Sequence, residues 1–292
     1  MTGNTGNTGN TGNTGNTGNT GNIGNAGWSI SDRVDLPFVT RQDLAGNDLG
    51  ALRRTAPGKF GDRLWAANWY AWLILHEFVA AVPGWVGTVE ADADFEKIRT
   101  DLVDDLNGPQ TEINNLVLAA RDERPDAMGL ILSQDVEFFT DFMAVLTIRP
   151  ASHPQTWRVL NIASLLGSFA VLYFKGKHDL PRPTQLCPAL LPPIPVPGHS
   201  SWPSGHSTQA HLMKNFMLRV LAGISADDLA TMTSNLTVLA DEIARNREIA
   251  GLHYPSDSAG GVKLADLLNG MLPTGTVQKL DDAINAAAGE WR

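Results

Sequence analysis

Residues 63–82 read RLWAANWYAWLILHEFVAAV, and their spacing decides the fold class. Trp65, Trp69, Trp72, Leu73 and Phe78 recur at the period of a helix that turns one face to a core. The period continues through residues 92–121, carried by Phe95, Ile98, Leu102, Leu106, Ile113, Leu116 and Leu118, with a break near Gly108-Pro109. It returns in residues 130–148, 154–177, 206–221, 225–247, 257–271 and 276–288. Alternating strand patterns are nearly absent. The expectation is an all-α, single-domain bundle of about eight or nine helices.

Two stretches do not follow the period. Residues 2–22 are Thr-Gly-Asn repeated seven times, fading into Ile23-Gly24-Asn25 and Ala26-Gly27. The triplets have no apolar face to bury, and glycine at every third position raises the cost of ordering. Residues 1–27 are therefore expected to be disordered, and residues 28–292 to form the domain. Residues 181–203 hold eight prolines in twenty-three positions. A long irregular segment inside a helical domain points to function, and it is expected to wall the active site.

The bulk numbers exclude several classes. A net charge of −9 disfavours nucleic acid or an anionic membrane as partner. The single cysteine, Cys187, rules out an intramolecular disulfide and suits a reducing compartment. The longest apolar run, residues 159–174, is about 16 residues, short of the roughly 20 needed to span a bilayer. No basic region followed by an apolar run opens the chain. A cytoplasmic or otherwise soluble protein without a transmembrane segment is expected; a homo-oligomer is compatible with the sequence.

Three short motifs carry chemistry. The first is Lys175 with Arg182-Pro183, the second Pro203-Ser204-Gly205-His206, the third Arg247 with His253 and Asp257. Together they bring three cations, two histidines, a carboxylate, a hydroxyl and a glycine amide, the donor set a tetrahedral oxyanion needs. Ser204 and Gly205 fall at a helix start, where the hydroxyl and backbone N–H groups favour negative charge. His206 in the first turn is then placed as a general acid or base. His211, on another face, reads as a core histidine. Arg247 and His253 are six apart, roughly 240° around one continuous helix, so both can face one anion only if Ala250-Gly251 breaks it. Pro255 fits only a first helical turn, which puts Asp257 in reach of the Nδ1–H of His253 and frees Nε2.

These motifs, in this order and spacing, resemble the superfamily of type 2 phosphatidic acid phosphatases, class A acid phosphatases and vanadium-dependent haloperoxidases. The resemblance covers roughly residues 154–262, with one departure: Asn246 stands where serine usually precedes the arginine. It implies a catalytic set of His206, His253, Asp257, Lys175 and His199. It also implies an anion cradle of Lys175, Arg182, Ser204, Gly205 and Arg247. In a haloperoxidase the cofactor is vanadate, bonded to His253, and the partners are hydrogen peroxide and halide. In a phosphatase His253 attacks a phosphomonoester, His206 protonates the leaving group, and no cofactor is needed.

The branch rests on fewer residues. His199, five positions before Ser204, is similar to a second histidine of algal bromoperoxidases and implies bromide or iodide as the halide. Against it, His253-Tyr254-Pro255-Ser256-Asp257 reads like the phosphatase branch, and Leu172 stands where several haloperoxidases carry Trp or Arg. The haloperoxidase is the leading expectation and the acid phosphatase the alternative.

Overall fold

The computed structural model describes residues 60–292. The Thr-Gly-Asn repeat and the first part of the expected domain, to residue 59, lie outside the described residues. Among those described the chain is all-helical, with no strand. The order is α1 (Ala67–Ala81), α2 (Trp85–Glu90), α3 (Ala93–Asn107), α4 (Thr111–Asp122), α5 (Arg124–Val136), α6 (Phe139–Leu146) and α7 (Pro154–His178). Then follow α8 (Pro183–Leu186), α9 (Gly205–Val220), α10 (Ala226–Ile249), α11 (Pro255–Gly270) and α12 (Gln278–Ala288).

Local chemistry explains most of these ends. Asp92 caps α3 by accepting from Phe95 N at 2.9 Å, and the Asp105 carboxylate holds Thr111 N and Glu112 N of α4 at 2.8 and 3.0 Å. Proline opens α7, α8 and α11, where its missing N–H costs nothing. The carboxylate of Glu290, near the C-terminus, accepts from Gln155 N and Thr156 N and so ties the last residues to the start of α7.

The expected break at Gly108-Pro109 separates α3 from α4. One further expected helix is divided. Residues 130–148 hold the last part of α5 and all of α6, because Glu137 adopts extended backbone and its carboxylate takes Thr140 N at 3.0 Å. Phe138, in that turn, and Phe139, at the start of α6, are both buried in the core. The proline-rich segment is not wholly irregular; it contains α8 and a 3₁₀ turn at Pro188–Leu190.

α7 is the axis of the bundle. It packs on α1, α9 and α12, while α9 packs also on α10 and α11. The stretch Pro154–Leu186 is long and apolar enough to cross a membrane by length and composition, and 67% of its apolar window is buried inside the protein. α7 is longer than the apolar run alone suggests, since helical hydrogen bonding carries through Lys175 to His178. One continuous hydrophobic core joins all these helices. A small second cluster of Ala119, Ile131, Ile194, Ile249, Ala250 and Leu252 seats the proline-rich segment on the α10–α11 junction.

Candidate oxyanion site

The end of α7, the proline-rich segment, the start of α9 and the α10–α11 junction meet at one place. Each arrives there for a local reason. α10 ends at Ile249, and Gly251 takes φ +80°, a conformation glycine adopts without strain. The chain then turns back, and Pro255 opens α11. The expected break between Arg247 and His253 therefore lies at Ala250-Gly251. Two more glycines let the loop sit tight against α11. A Cβ on Gly260 would stand 2.1 Å from the Trp202 ring, and one on Gly261 would stand 2.8 Å from Ser204 O.

His253 and Asp257 form the centre. His253 Nδ1 lies 2.8 Å from Asp257 Oδ2, and both side chains are buried. A carboxylate only accepts, so Nδ1 carries the proton and Nε2 presents a lone pair. Arg182 Nη1 faces that lone pair at 3.5 Å. Asp257 is held by two further donors, the Ser201 hydroxyl and Tyr254 N at 3.0 Å. Burial pushes its carboxyl up, while Lys175, the Ser201 hydroxyl, the Tyr254 amide and Arg182 pull it down. Asp257 Oδ1 has no partner.

The cations are buried as well. Lys175 Nζ donates to Ser200 O at 2.8 Å and Ser201 O at 2.6 Å. Burial, reinforced by Arg182, holds its ammonium well below the ordinary lysine range. Arg182 donates from Nε to His199 O at 2.8 Å and from Nη1 to Leu252 O at 2.9 Å, clamping the proline-rich segment to the junction. Burial lowers it to about 10. Arg247 is fully buried and also lowered to about 10 by burial. Its Nη2 donates to Ile131 O at 2.9 Å, while Nε and Nη1 have no hydrogen-bond partner. Asp135 lies 3.8 Å from Nη1, close enough to attract but too far for a hydrogen bond.

The remaining expected residues fall into place around these. Ser204 caps α9, its hydroxyl accepting from Ser207 N at 3.4 Å, and its own N–H is given to Asp257 O at 2.9 Å. Gly205 opens α9, in the first turn where amides have no intrahelical acceptor. His206 Nε2 lies 3.1 Å from Gln134 O; a carbonyl accepts, so Nε2 carries the proton and Nδ1 is the free lone pair. Burial lowers both His206 and His253 well below the ordinary histidine range, with Arg247 adding most to the first and Arg182 to the second. His199 Nδ1 lies 2.9 Å from Arg182 Nη2, and its buried Nε2 has no partner. Burial, then Lys175 and Arg182, bring His199 down to about 4.

Three participants carry no motif: Ser201 touches Asp257, Gln134 touches His206 and Asp135 lies near Arg247, and none stands at a spacing that marks it. Asn246, at the motif position before Arg247, bonds Gln134. His211 is the core histidine expected, its ring between Ser207 O and Asp241. Among the described residues no three His, Cys, Asp or Glu side chains converge as a metal cation would require. Positive charge dominates the cluster, which suits an anion. Arg247 Nε and Nη1, His199 Nε2 and His253 Nε2 are the atoms left to meet one, and these residues fit a vanadate or phosphate ion. No protein-family model matches the chain, and no curated protein matches it.

Proposed function

We propose that this protein is a vanadate-dependent haloperoxidase that oxidises bromide or iodide with hydrogen peroxide. One observation carries the reading. His253 is a buried neutral imidazole, fixed by Asp257 at Nδ1, with its Nε2 lone pair facing a cluster of buried cations. His253 Nε2 would hold vanadate, with Lys175, Arg182, Arg247, Ser204 and the Gly205 amide around its oxygens. Vanadate when bound supplies a Lewis-acidic centre that activates peroxide toward halide. The chain's own part is to hold that charge, exclude water and move a proton. His206 Nδ1 can accept a proton from hydrogen peroxide, because its other nitrogen is already committed as a donor to Gln134 O.

The acid phosphatase is the second reading, favoured by the same Nε2 lone pair, which also suits attack on phosphorus. It needs a proton on His206 to give to the leaving group. His199 is what favours the haloperoxidase: its Nδ1 stands 2.9 Å from Arg182 Nη2 and its buried Nε2 has no partner.

The test uses the full chain. With orthovanadate, hydrogen peroxide and bromide, bromination of a phenol-type dye is expected. In parallel, p-nitrophenyl phosphate without vanadate should turn over slowly or not at all. Rapid phosphate release, inhibited by vanadate and without bromination, would overturn the haloperoxidase in favour of the phosphatase.

A further inference from the structure

The second half of α5 touches the site twice. Ile131 O accepts from Arg247 Nη2, and Gln134 O accepts from His206 Nε2. Gln134 O is among the final four carbonyls of its helix, which lack intrahelical partners and are open to another donor. The orientation of one short helical turn therefore sets both the tautomer of His206 and the place of Arg247. Nothing in the backbone of α5 alone fixes that orientation, since the helix ends two residues later at Val136.

Ile131, buried in the second apolar cluster, and Arg124, bonded to Ile249 O, hold α5 on the junction, and the side chain of Gln134 adds a directional constraint at its end. Gln134 is 1% exposed. Its Oε1 accepts from Asn246 Nδ2 at 2.9 Å, a fully buried bond across 112 residues of sequence. Its Nε2 donates to Asp141 Oδ2 of α6 at 3.1 Å. Asn246 immediately precedes Arg247 on α10, so one bond ties the helix that bears the arginine to the turn that receives it. Both amides are oriented by these contacts, because Asp141 only accepts and therefore turns the Gln134 NH₂ toward itself and Oε1 toward Asn246.

We propose that the buried amide pair Gln134–Asn246 is a positioning device, which holds the α5 carbonyls so that His206 keeps its proton on Nε2 and Arg247 keeps its fork in the site. The pair touches neither ligand nor reacting atoms and acts only through His206 and Arg247. This deepens the proposed function and rests on it for the roles of those two residues.

The test separates position from mere stability. ¹⁵N-histidine NMR on the full chain reads which ring nitrogen of His206 is protonated, the signal being assigned by its loss in His206→Gln. Gln134→Met removes the amide at similar volume, and Asn246→Ala removes the same bond from the other helix. In both, the His206 signal should move from the Nε2–H form to a mixture of tautomers. Orthovanadate affinity, read by calorimetry, should fall about tenfold, as when groups that orient a ligand set are lost. Leu212→Ala, a core change on α9, should lower the melting temperature without changing tautomer or affinity. Should neither amide variant fold, deuterium exchange of the Asn246 side-chain amide in the unaltered protein decides. Exchange as slow as core backbone amides supports the buried pair and fast exchange overturns it. Folded variants that keep the Nε2–H form, with vanadate affinity within about twofold of the parent, would also overturn the proposal. The NMR result needs no turnover, so absent bromination in the parent would sink the haloperoxidase and leave the positioning result intact.

Discussion

Two histidine–aspartate pairs stand among the described residues, and they differ in everything except composition. His253 Nδ1 and Asp257 Oδ2 are 2.8 Å apart at the α10–α11 junction, with both side chains buried. His211 Nε2 and Asp241 Oδ1 are 3.0 Å apart between α9 and α10, and there the carboxylate is 64% exposed. The first histidine commits one nitrogen and leaves the other facing Arg182. The second commits both, since Ser207 O takes Nδ1. Water screens the second pair from one side. The first is buried on both sides, and the charge of Asp257 is felt by Lys175 and Arg182. A His–Asp pair is therefore no site by itself; a free ring nitrogen and a buried carboxylate make the difference.

The largest effect expected sets the two histidines against each other. His253→Ala should reduce bromination to background, a loss on the order of 10³-fold or more. His211→Ala should keep most of the activity. Dye bromination under saturating vanadate measures both. Comparable losses would mean that the pairs are functionally alike and would break the comparison.

The aspartates differ next, in stability. Asp257→Ala strips the countercharge from two buried cations and a partner from His253, and should cost about 3–5 kcal/mol. Asp241→Ala, at an exposed carboxylate, should cost less than about 1 kcal/mol. Urea denaturation of the two variants measures the difference. Asp257→Ala should also depress activity less than His253→Ala, because it orients the ring and does not itself bond the ligand.

α11 sharpens the same contrast between its site-facing middle and its far end. Gly260→Ala forces a methyl into the Trp202 ring and should destabilise by about 1–3 kcal/mol. It should also weaken vanadate binding, since Trp202 lies between Ser201 and Ser204. Gly270→Ala meets nothing within 4 Å at the distal end and should be neutral or stabilising by up to about 1 kcal/mol. Thermal melting and calorimetric vanadate titration of the two variants test this.

The smallest expected effect is one of pH. His199 titrates near 4 in the fold against an ordinary 6.5, so between these values the unfolded chain takes a proton that the folded chain refuses. Its contribution is whole above pH 6.5 and is lost as pH falls toward 4. His199→Gln should therefore lose less melting temperature than the parent between pH 7 and pH 4.5. Equal losses would show that His199 is not held neutral beside Lys175 and Arg182.

Much of this was legible in the chain. The helical period announces α1 but not its buried face: Tyr70, Ala71, Ile74, Leu75 and Phe78 meet the core, whereas Trp69 and Trp72 are exposed and Trp65 lies before the helix. The same period announces the other long helices. The division between α5 and α6 was not legible, because apolar periodicity runs across Glu137, whose extended backbone and carboxylate bond to Thr140 N mark the break only in the fold. The junction after Arg247 was legible for a geometric reason. Two residues six apart cannot share a helical face, a glycine follows, and Pro255 can only begin a helix. Those facts are local, and local facts survive in sequence.

Sequence by itself determined an all-helical chain, the motif residues and the His253–Asp257 pairing four residues apart. Tertiary structure alone decided which atoms those residues have left to use. His206 owes its tautomer to Gln134, 72 residues away; Asp257 is held by Ser201, 56 away; Arg247 finds Ile131 O across 116. A hydrogen bond is directional and short, so its partner depends on where two distant backbones come to rest. No spacing along the chain encodes that position, and packing of the whole bundle is what sets it.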